Sequence, residues 1–200
     1  MSLEPIILED EFVRLEPLAE KHRAPLAEAG DDRDLWRFAS VNLYGTDFDQ
    51  WMEDRLSAPA REGDLTFAVY DQLRLKYVGS SSFLKVELPS KRLEIGWTWY
   101  AKSAWSTHVN PACKRLMLRY GFETLGLNRI EFKLDATNKR SWKAVERLGA
   151  IYEGVRRAHM VKNDGRVRDS AYFSVLKNEW PDVNEKLEAR LVPARDRYVG

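Results

Sequence analysis

The stretch WSTHVNPACKRLM, residues 105–117, reads as a loop running into a helix. Asn110 can cap free amides and Pro111 costs nothing at a first helical position, so the helix is expected to begin there. Amides left free at a helix start, with the helix dipole behind them, favour an anion. Yet this loop carries Ser106, Thr107, His108 and Val109 where a phosphate-cradling loop usually carries glycines. A backbone kept at negative φ still presents amides, and Ser106, Thr107 and Asn110 add side-chain hydrogen-bonding groups. His108 reads either as one more donor or as an ordinary exposed loop histidine. Glycines placed at Thr107 and Val109 are then expected to preserve or improve the binding of such an anion. A carboxylate stands just upstream, in RLEIGWTWY (92–100): strict alternation turns Glu94 away from Ile95, Trp97 and Trp99, as a proton acceptor or as the partner of an Arg or Lys. A third group, Asn138 and Ser141 of NKRS, falls where a strand gives way to a helix, a place where Asn is also a commonplace cap. Arg156, Arg157, Arg166 and Arg168 cluster over a hairpin, either to attract an acidic peptide or a phosphate or as a solvated face.

These residues need elements to hold them. PIILEDEFVRLEPL (5–18) suits an opening strand pair, and helices are expected over 20–30 and 47–60, the second closed by Pro59 and Gly63. LTFAVY, KYVGSSSFLKVEL and RLEIGWTWY form an antiparallel meander separated by polar turns. After the helix that starts near Asn110, NRIEFKLDATN alternates Ile130, Phe132 and Leu134 against charged neighbours, as a strand with one buried face does. A helix over 139–148 ends at Gly149, and a hairpin follows whose Asp164-Gly165 pair predicts a tight turn. A strand that meets another across a crossover helix implies a parallel pair inside a mostly antiparallel sheet, and where such strands splay their ends make a slot. The expected fold is α/β (α+β): a mixed, mostly antiparallel central sheet with flanking helices, one domain over 1–192 and a loose tail over 193–200.

Composition narrows the function. Lys plus Arg at 32 against Asp plus Glu at 31 leaves +1, which gives no general drive towards nucleic acid or an anionic membrane. The start lacks the basic and apolar regions of a signal peptide, and no stretch approaches the roughly 18 apolar residues of a membrane span, so a cytoplasmic location is expected. Cys113 is the single cysteine and lies on an apolar helix stripe, the place of a packed thiol rather than a nucleophile. His22, His108 and His159 have no ligand spacing, and no metal is expected.

Three segments, LEIGWTWYAKSAWSTHVNPACKRLML, KLDATNKRSWKAVERLGAIYEGVRR and NDGRVRDSAYFSVLKNEW, together resemble the GCN5-related N-acetyltransferases, in particular the ribosomal-protein N-terminal acetyltransferase branch. The resemblance covers about residues 6–190 and implies the acyl-CoA N-acyltransferase fold with splayed strands. It implies acetyl-coenzyme A as co-substrate, its pantetheine arm held by main-chain groups of Trp99 and Tyr100 and its pyrophosphate by Ser106, Thr107, His108, Val109 and Asn110. Asn138 then contacts the pantetheine, Arg140 lines the same site and Ser141 lies near the sulfur. The tyrosine that many members carry as proton donor to the thiolate is Val145 here, which leaves Ser141 to hydrogen-bond the sulfur. Glu94 matches a proposed base, and Trp36 lies in the region that forms one acceptor wall, or is a core tryptophan. The acceptor is a primary amine, either a peptide N-terminal α-amine or a small molecule; a homodimer stays open. The missing glycines and tyrosine favour a second reading, a non-catalytic binding module on the same fold.

Overall fold

The structure, a computed structural model, describes residues 3–38, 47–162 and 164–198. Eight strands form its sheet: β1 (Leu8–Glu9), β2 (Val13–Pro17), β3 (Leu65–Asp71), β4 (Lys76–Glu87), β5 (Arg92–Tyr100), β6 (Arg129–Asp135), β7 (Ile151–Val161) and β8 (Val167–Leu176). Their order is β1-β2-β3-β4-β5-β6-β8-β7. All neighbours pair antiparallel except β5 and β6. The helices are α1 (Arg23–Ala29), α2 (Asp47–Glu62), α3 (Val109–Arg119), α4 (Lys139–Leu148) and α5 (Trp180–Tyr198). Among the described residues, no helix is long and apolar enough to cross a membrane.

Two cores follow from the alternation of the strands. Ile130, Phe132 and Leu134 of β6 join Leu116 and Met117 of α3, Leu148 of α4 and Leu187 of α5 in the larger core. On the opposite face, Leu26, Trp36, Phe48, Trp51, Met52 and Trp99 form a smaller aromatic core under α1 and α2. Each such side chain withdrawn from water contributes about 1.5–3 kcal/mol. The polar residues that alternate with the core positions of β6, Glu131 and Lys133, stand on the second face, beyond the reach of the aromatic core.

Several boundaries differ from the sequence expectation for local reasons. Helix α3 begins at Val109, not at Asn110, because the Thr107 hydroxyl accepts the Val109 amide at 3.3 Å and so ends the loop earlier. Asn110 and Pro111 are its second and third residues, where a missing N–H still costs nothing. Pro59 does not stop α2, which runs to Glu62, and Gly63 at φ 71° supplies the stop. Pro193 likewise lies inside α5, which continues to Tyr198 with Ala194 buried, so the helix extends past the expected boundary of the tail. The β7–β8 hairpin pairs Val161 with Val167, giving a five-residue loop rather than a tight turn; Gly165 donates its amide to Lys162 O at 2.9 Å. Asn163 of that loop lies outside the described residues.

The largest departure is a bulge in β5. Ser80 pairs with Trp99 but Ser82 pairs with Gly96, so Ser81 faces two residues, Trp97 and Thr98, and Trp97 takes φ 46°. An extra residue reverses the facing of everything beyond it. Trp97 and Trp99 therefore fall on the side of Glu94, not opposite to it as strict alternation predicts.

Behind the bulge lies a buried cation. Lys114 of α3 donates to Thr98 Oγ1 at 2.7 Å and to Ser81 Oγ at 2.9 Å, and the two hydroxyls lie 2.8 Å apart. Burial pushes its ammonium down to about 8 from 10.5. The unfolded chain thus holds this proton to higher pH than the folded one, so unfolding takes up a proton between pH 8 and 10.5 and stability rises with pH across that window, by up to roughly 3 kcal/mol. Lys114→Met, which leaves Ser81 and Thr98 bonded to each other, is expected to remove that rise and to be about 1–2 kcal/mol more stable at pH 7. Denaturant titrations of both proteins at pH 7, 9 and 10 check this by difference, since Cys113, raised by burial to about 12, titrates in the opposite sense. Equal pH slopes would contradict it.

Candidate active site

Strands β5 and β6 pair only over Arg92–Glu94 with Arg129–Glu131. Beyond Glu94 they separate, and the β6-facing edge of β5 carries no ladder partner among the described residues. This is the expected slot. One wall ends in Trp99, Tyr100 and the 105–110 loop, the other in Asp135 and the start of α4. The walls meet at the mouth, where the Arg140 guanidinium carbon lies 3.5 Å from the centroid of the Trp105 ring. Such a stack fits a planar cation over an indole face.

On the first wall, Trp99 is buried and packs against Trp36 at 5.0 Å, Trp51 at 5.9 Å and Phe48 at 6.5 Å between centroids. Tyr100 is buried in the larger core, and its carbonyl accepts the Trp105 indole N–H at 2.7 Å. Trp36 donates its own indole N–H to Gly30 O at 3.0 Å and is a core residue, not an open wall. It supports Trp99 from behind.

The loop departs from expectation at three positions. Ser106 is exposed with φ 59°, so the backbone does not stay at negative φ: the left-handed conformation that glycine would take freely is held here by a serine. His108 is 7% exposed and no loop donor, because its Nε2 lies 3.0 Å from the buried Asp71 carboxylate. Burial alone would raise the Asp71 carboxyl, but the hydrogen bond and charge of His108, with the Arg74 amide, hold it below its usual value. Val109 is fully buried, so a glycine there would open a cavity, and Thr107 donates to Ala104 O at 2.7 Å. Tolerance for glycine therefore belongs to Ser106. Ser106→Gly is expected to raise stability by about 1 kcal/mol, a melting shift of roughly 2–4 °C; thermal unfolding that falls instead would show a contact of the Ser106 side chain worth more than the strain. The amides of Ser106, Thr107 and Asn110 have no acceptor among the described residues.

On the second wall, Asn138 caps α4, its Oδ1 accepting the Ser141 amide at 3.1 Å. Ser141 is half-buried in the first turn of the helix. Both therefore sit at the slot, with the cap role carried by Asn138.

Below the slot, on the α2 side of the sheet, is a cavity of about 300 Å³ lined by Arg55, Asp64, Leu84, Lys85, Glu94, Trp97 and Lys133. Glu94, 3% exposed, meets Lys85 Nζ at 2.8 Å and Lys133 Nζ at 3.8 Å. Gly96 makes the space for it: a Cβ there would stand 3.0 Å from Glu94 Oε1 and 2.6 Å from Leu84 Cδ1. The hairpin arginines divide. Arg168 turns in and is buried, Arg156 lies 5.0 Å over the Tyr172 ring, and Arg166 pairs with Asp164. Cys113 is buried with a raised pKa and is the packed thiol expected. Lys114 and the inward turn of Arg168 were not read from the sequence; the one local signal was that Lys114 stands four residues before Leu118, on the buried stripe of α3.

Comparison with known proteins agrees with this geometry. The family described as "Acetyltransferase (GNAT) domain" matches residues 13–151. "Putative ribosomal N-acetyltransferase YdaF" of Bacillus subtilis is 33% identical over 102 residues, 51% of this chain and 55% of that protein. The chain spans about half the length of the curated relatives it matches. A GCN5-related N-acetyltransferase from Brucella melitensis has a crystal structure that superposes with a TM-score of 0.87 at 31% identity, covering 94% of this chain and 86% of that one. Mycobacterium smegmatis RimJ, solved in complex with CoA-disulfide, shares the fold at 20% identity and a TM-score of 0.74, covering 92% and 93% of the two chains.

Proposed function

The chain belongs to the GNAT acetyltransferase family, and from that premise we propose that it moves the acetyl group of acetyl-coenzyme A to a primary amine, the N-terminal α-amine of a peptide. The observation that carries the reading is the splay of β5 from β6 beyond Glu94, with an open strand edge on one side and the capped start of α4 on the other. Unladdered main-chain groups beside Trp99 and Tyr100 suit the amides of a pantetheine arm. The free amides of Ser106, Thr107 and Asn110 at the α3 start suit a pyrophosphate, and Arg140 at the mouth adds a cation. His108 and Val109 are buried and shape that loop from inside.

When bound, acetyl-coenzyme A supplies a thioester whose carbonyl carbon takes the amine while its sulfur leaves. Amides at the β5 bulge, fixed by Lys114 and Ser81 behind them, are the rigid donors such a carbonyl needs. Glu94 accepts the proton of the arriving ammonium, and the Ser141 hydroxyl bonds the departing sulfur from the α4 side. An α-amine is neutral in roughly one molecule in ten at pH 7, against about one in a few thousand for a lysine amine, so a carboxylate already shared with two lysines suffices for it. The Bacillus subtilis relative is named a putative ribosomal N-acetyltransferase, which supports a protein acceptor here as well.

An assay of free coenzyme A thiol, run with acetyl-coenzyme A against N-terminal peptides, spermidine and lysine side-chain analogues, tests the reading. Release with α-amine peptides is expected. Release confined to spermidine or lysine analogues would remove the peptide acceptor, and none with any amine would leave the fold as a binding module.

A further inference from the structure

The buried cation behind the β5 bulge holds a hydroxyl that opens into the slot. Lys114 and Ser81 are buried, but Thr98, which Lys114 reaches at 2.7 Å, is exposed on the α3 face of β5, where that strand has already left β6. Burial fixes the direction of the hydrogen bonds. Lys114 can only donate, and it gives one N–H to each hydroxyl. The Ser81 proton then goes to Thr98, 2.8 Å away, because Ser81 meets no other acceptor among the described residues and an orphaned buried O–H is costly. Thr98 Oγ1 thus accepts twice. Its own proton is left to the slot, with Gly96 O at a weak 3.4 Å as the alternative.

No carboxylate pairs with Lys114 among the described residues, although burying an ammonium without one costs stability. Burial holds it down to about 8, and Cys113, next to it on α3, is the one titratable group whose charge it feels. Burial pushes Cys113 up to about 12 and raises Tyr100, beside it on β5, well above its usual value, so both stay neutral while Lys114 titrates. The charges of Asp10 and Asp71 are felt at Cys113 and not at Lys114.

Resting on the acetyl-transfer reading, we propose that Thr98 is a further catalytic residue, the proton donor to the departing sulfur, and that Lys114 is the positioning residue that replaces its proton. As the carbon–sulfur bond breaks and both electrons stay on sulfur, the Thr98 O–H proton passes to the sulfur. A Lys114 N–H proton passes to Thr98 Oγ1 and leaves Lys114 neutral. Water in the open slot returns the proton through the same hydroxyl once the product has left. A threonine alone is far too weak an acid for this step. The ammonium supplies the acidity, and its value of about 8 stands close to the roughly 8.5 of an ordinary thiol, so the transfer runs between matched groups. The two proton transfers also fall on opposite faces of the sheet: Glu94 and its cavity lie on the α2 face, Thr98 and Lys114 on the α3 face.

The parent protein, Thr98→Val, Thr98→Ser and Lys114→Met test this through two readouts. One is the ionisation of the thiol of bound coenzyme A, followed by thiolate absorbance against pH; the other is kcat for acetyl transfer from pH 6 to 10. The bound thiol is expected to ionise about one pH unit lower in the parent than in Thr98→Val or Lys114→Met, which remove the O–H or the cation from its thiolate. In both variants kcat should drop on the order of 10²-fold at pH 7 with KM little changed, and Thr98→Ser should restore it. The parent's kcat should fall above about pH 8 as Lys114 loses its proton, and that fall should vanish in Lys114→Met. Lys114→Met is expected to be the more stable protein and the slower enzyme, which separates its lost activity from any loss of fold. A thiol that ionises alike in the parent, Thr98→Val and Lys114→Met, or a Thr98→Val enzyme as fast as the parent, would overturn the assignment while acetyl transfer stands. A thiol shift that depends on Thr98 and Lys114 in a protein that turns over no amine would sustain the site and count against the acetyl-transfer reading. Coenzyme A that does not bind would overturn both.

Discussion

Glu94→Gln is expected to slow acetyl transfer by on the order of 10²-fold at pH 7, with the loss shrinking as the pH rises past 8. Gln keeps the shape beside Gly96 but cannot take a proton, and it leaves Lys85 and Lys133 without their shared carboxylate. At higher pH the α-amine arrives already neutral, so the missing acceptor matters less. Ser141→Ala supplies the contrast: a hydrogen bond to sulfur does not depend on the amine's proton, so its loss should be a constant factor across pH. Steady-state rates from pH 6 to 9 check both. A Glu94→Gln enzyme whose deficit is equally large at pH 6 and pH 9 would make Glu94 a structural partner of the two lysines rather than a proton acceptor.

Trp99→Ala carries the largest expected cost to stability, about 3–5 kcal/mol. Trp99 closes the aromatic core between the sheet and the early helices, with Trp36, Phe48 and Trp51 all against it. Deleting the indole leaves a hole bounded by three rings, one of them anchored by the Trp36 bond to Gly30 O, which limits collapse. For a chain of this size the melting temperature should fall by roughly 10 °C. Thermal unfolding followed by calorimetry reads it directly, and a fall of under 2 °C would show that the rings repack and that Trp99 does not hold the slot wall.

The sequence carried the order of elements, since each strand and helix has its own period and stops. Alternation in β6, the Asn138 cap and the crossover that makes β5 and β6 parallel were all readable because their signals lie within a few residues. The site was legible in its slot and less so in its side chains. Strict alternation through 92–100 misplaced Trp97 and Trp99, because the bulge arises from pairing with Ser81 on another strand. His108 read as a loop donor, but its fate is set by Asp71, 37 residues away. Ser106 holds a left-handed turn that serine does not advertise. Arg166 and Arg168, two residues apart, diverge because Arg166 lies in the loop before β8, paired with Asp164, while Arg168 stands within the strand and is buried.

Titration of the protein with acetyl-coenzyme A in a calorimeter, paired with its melting temperature, is the most direct measurement of the slot between β5 and β6. One molecule bound per chain is predicted, with a melting temperature that climbs with ligand concentration, since selective binding to the folded state adds about 2.7 kcal/mol at 100 times the dissociation constant. Asn138→Ala and Arg140→Ala should both weaken binding, the first by loosening the α4 start and the second by removing the cation at the mouth. No heat and no melting shift at high micromolar acetyl-coenzyme A would contradict the proposed function at its foundation.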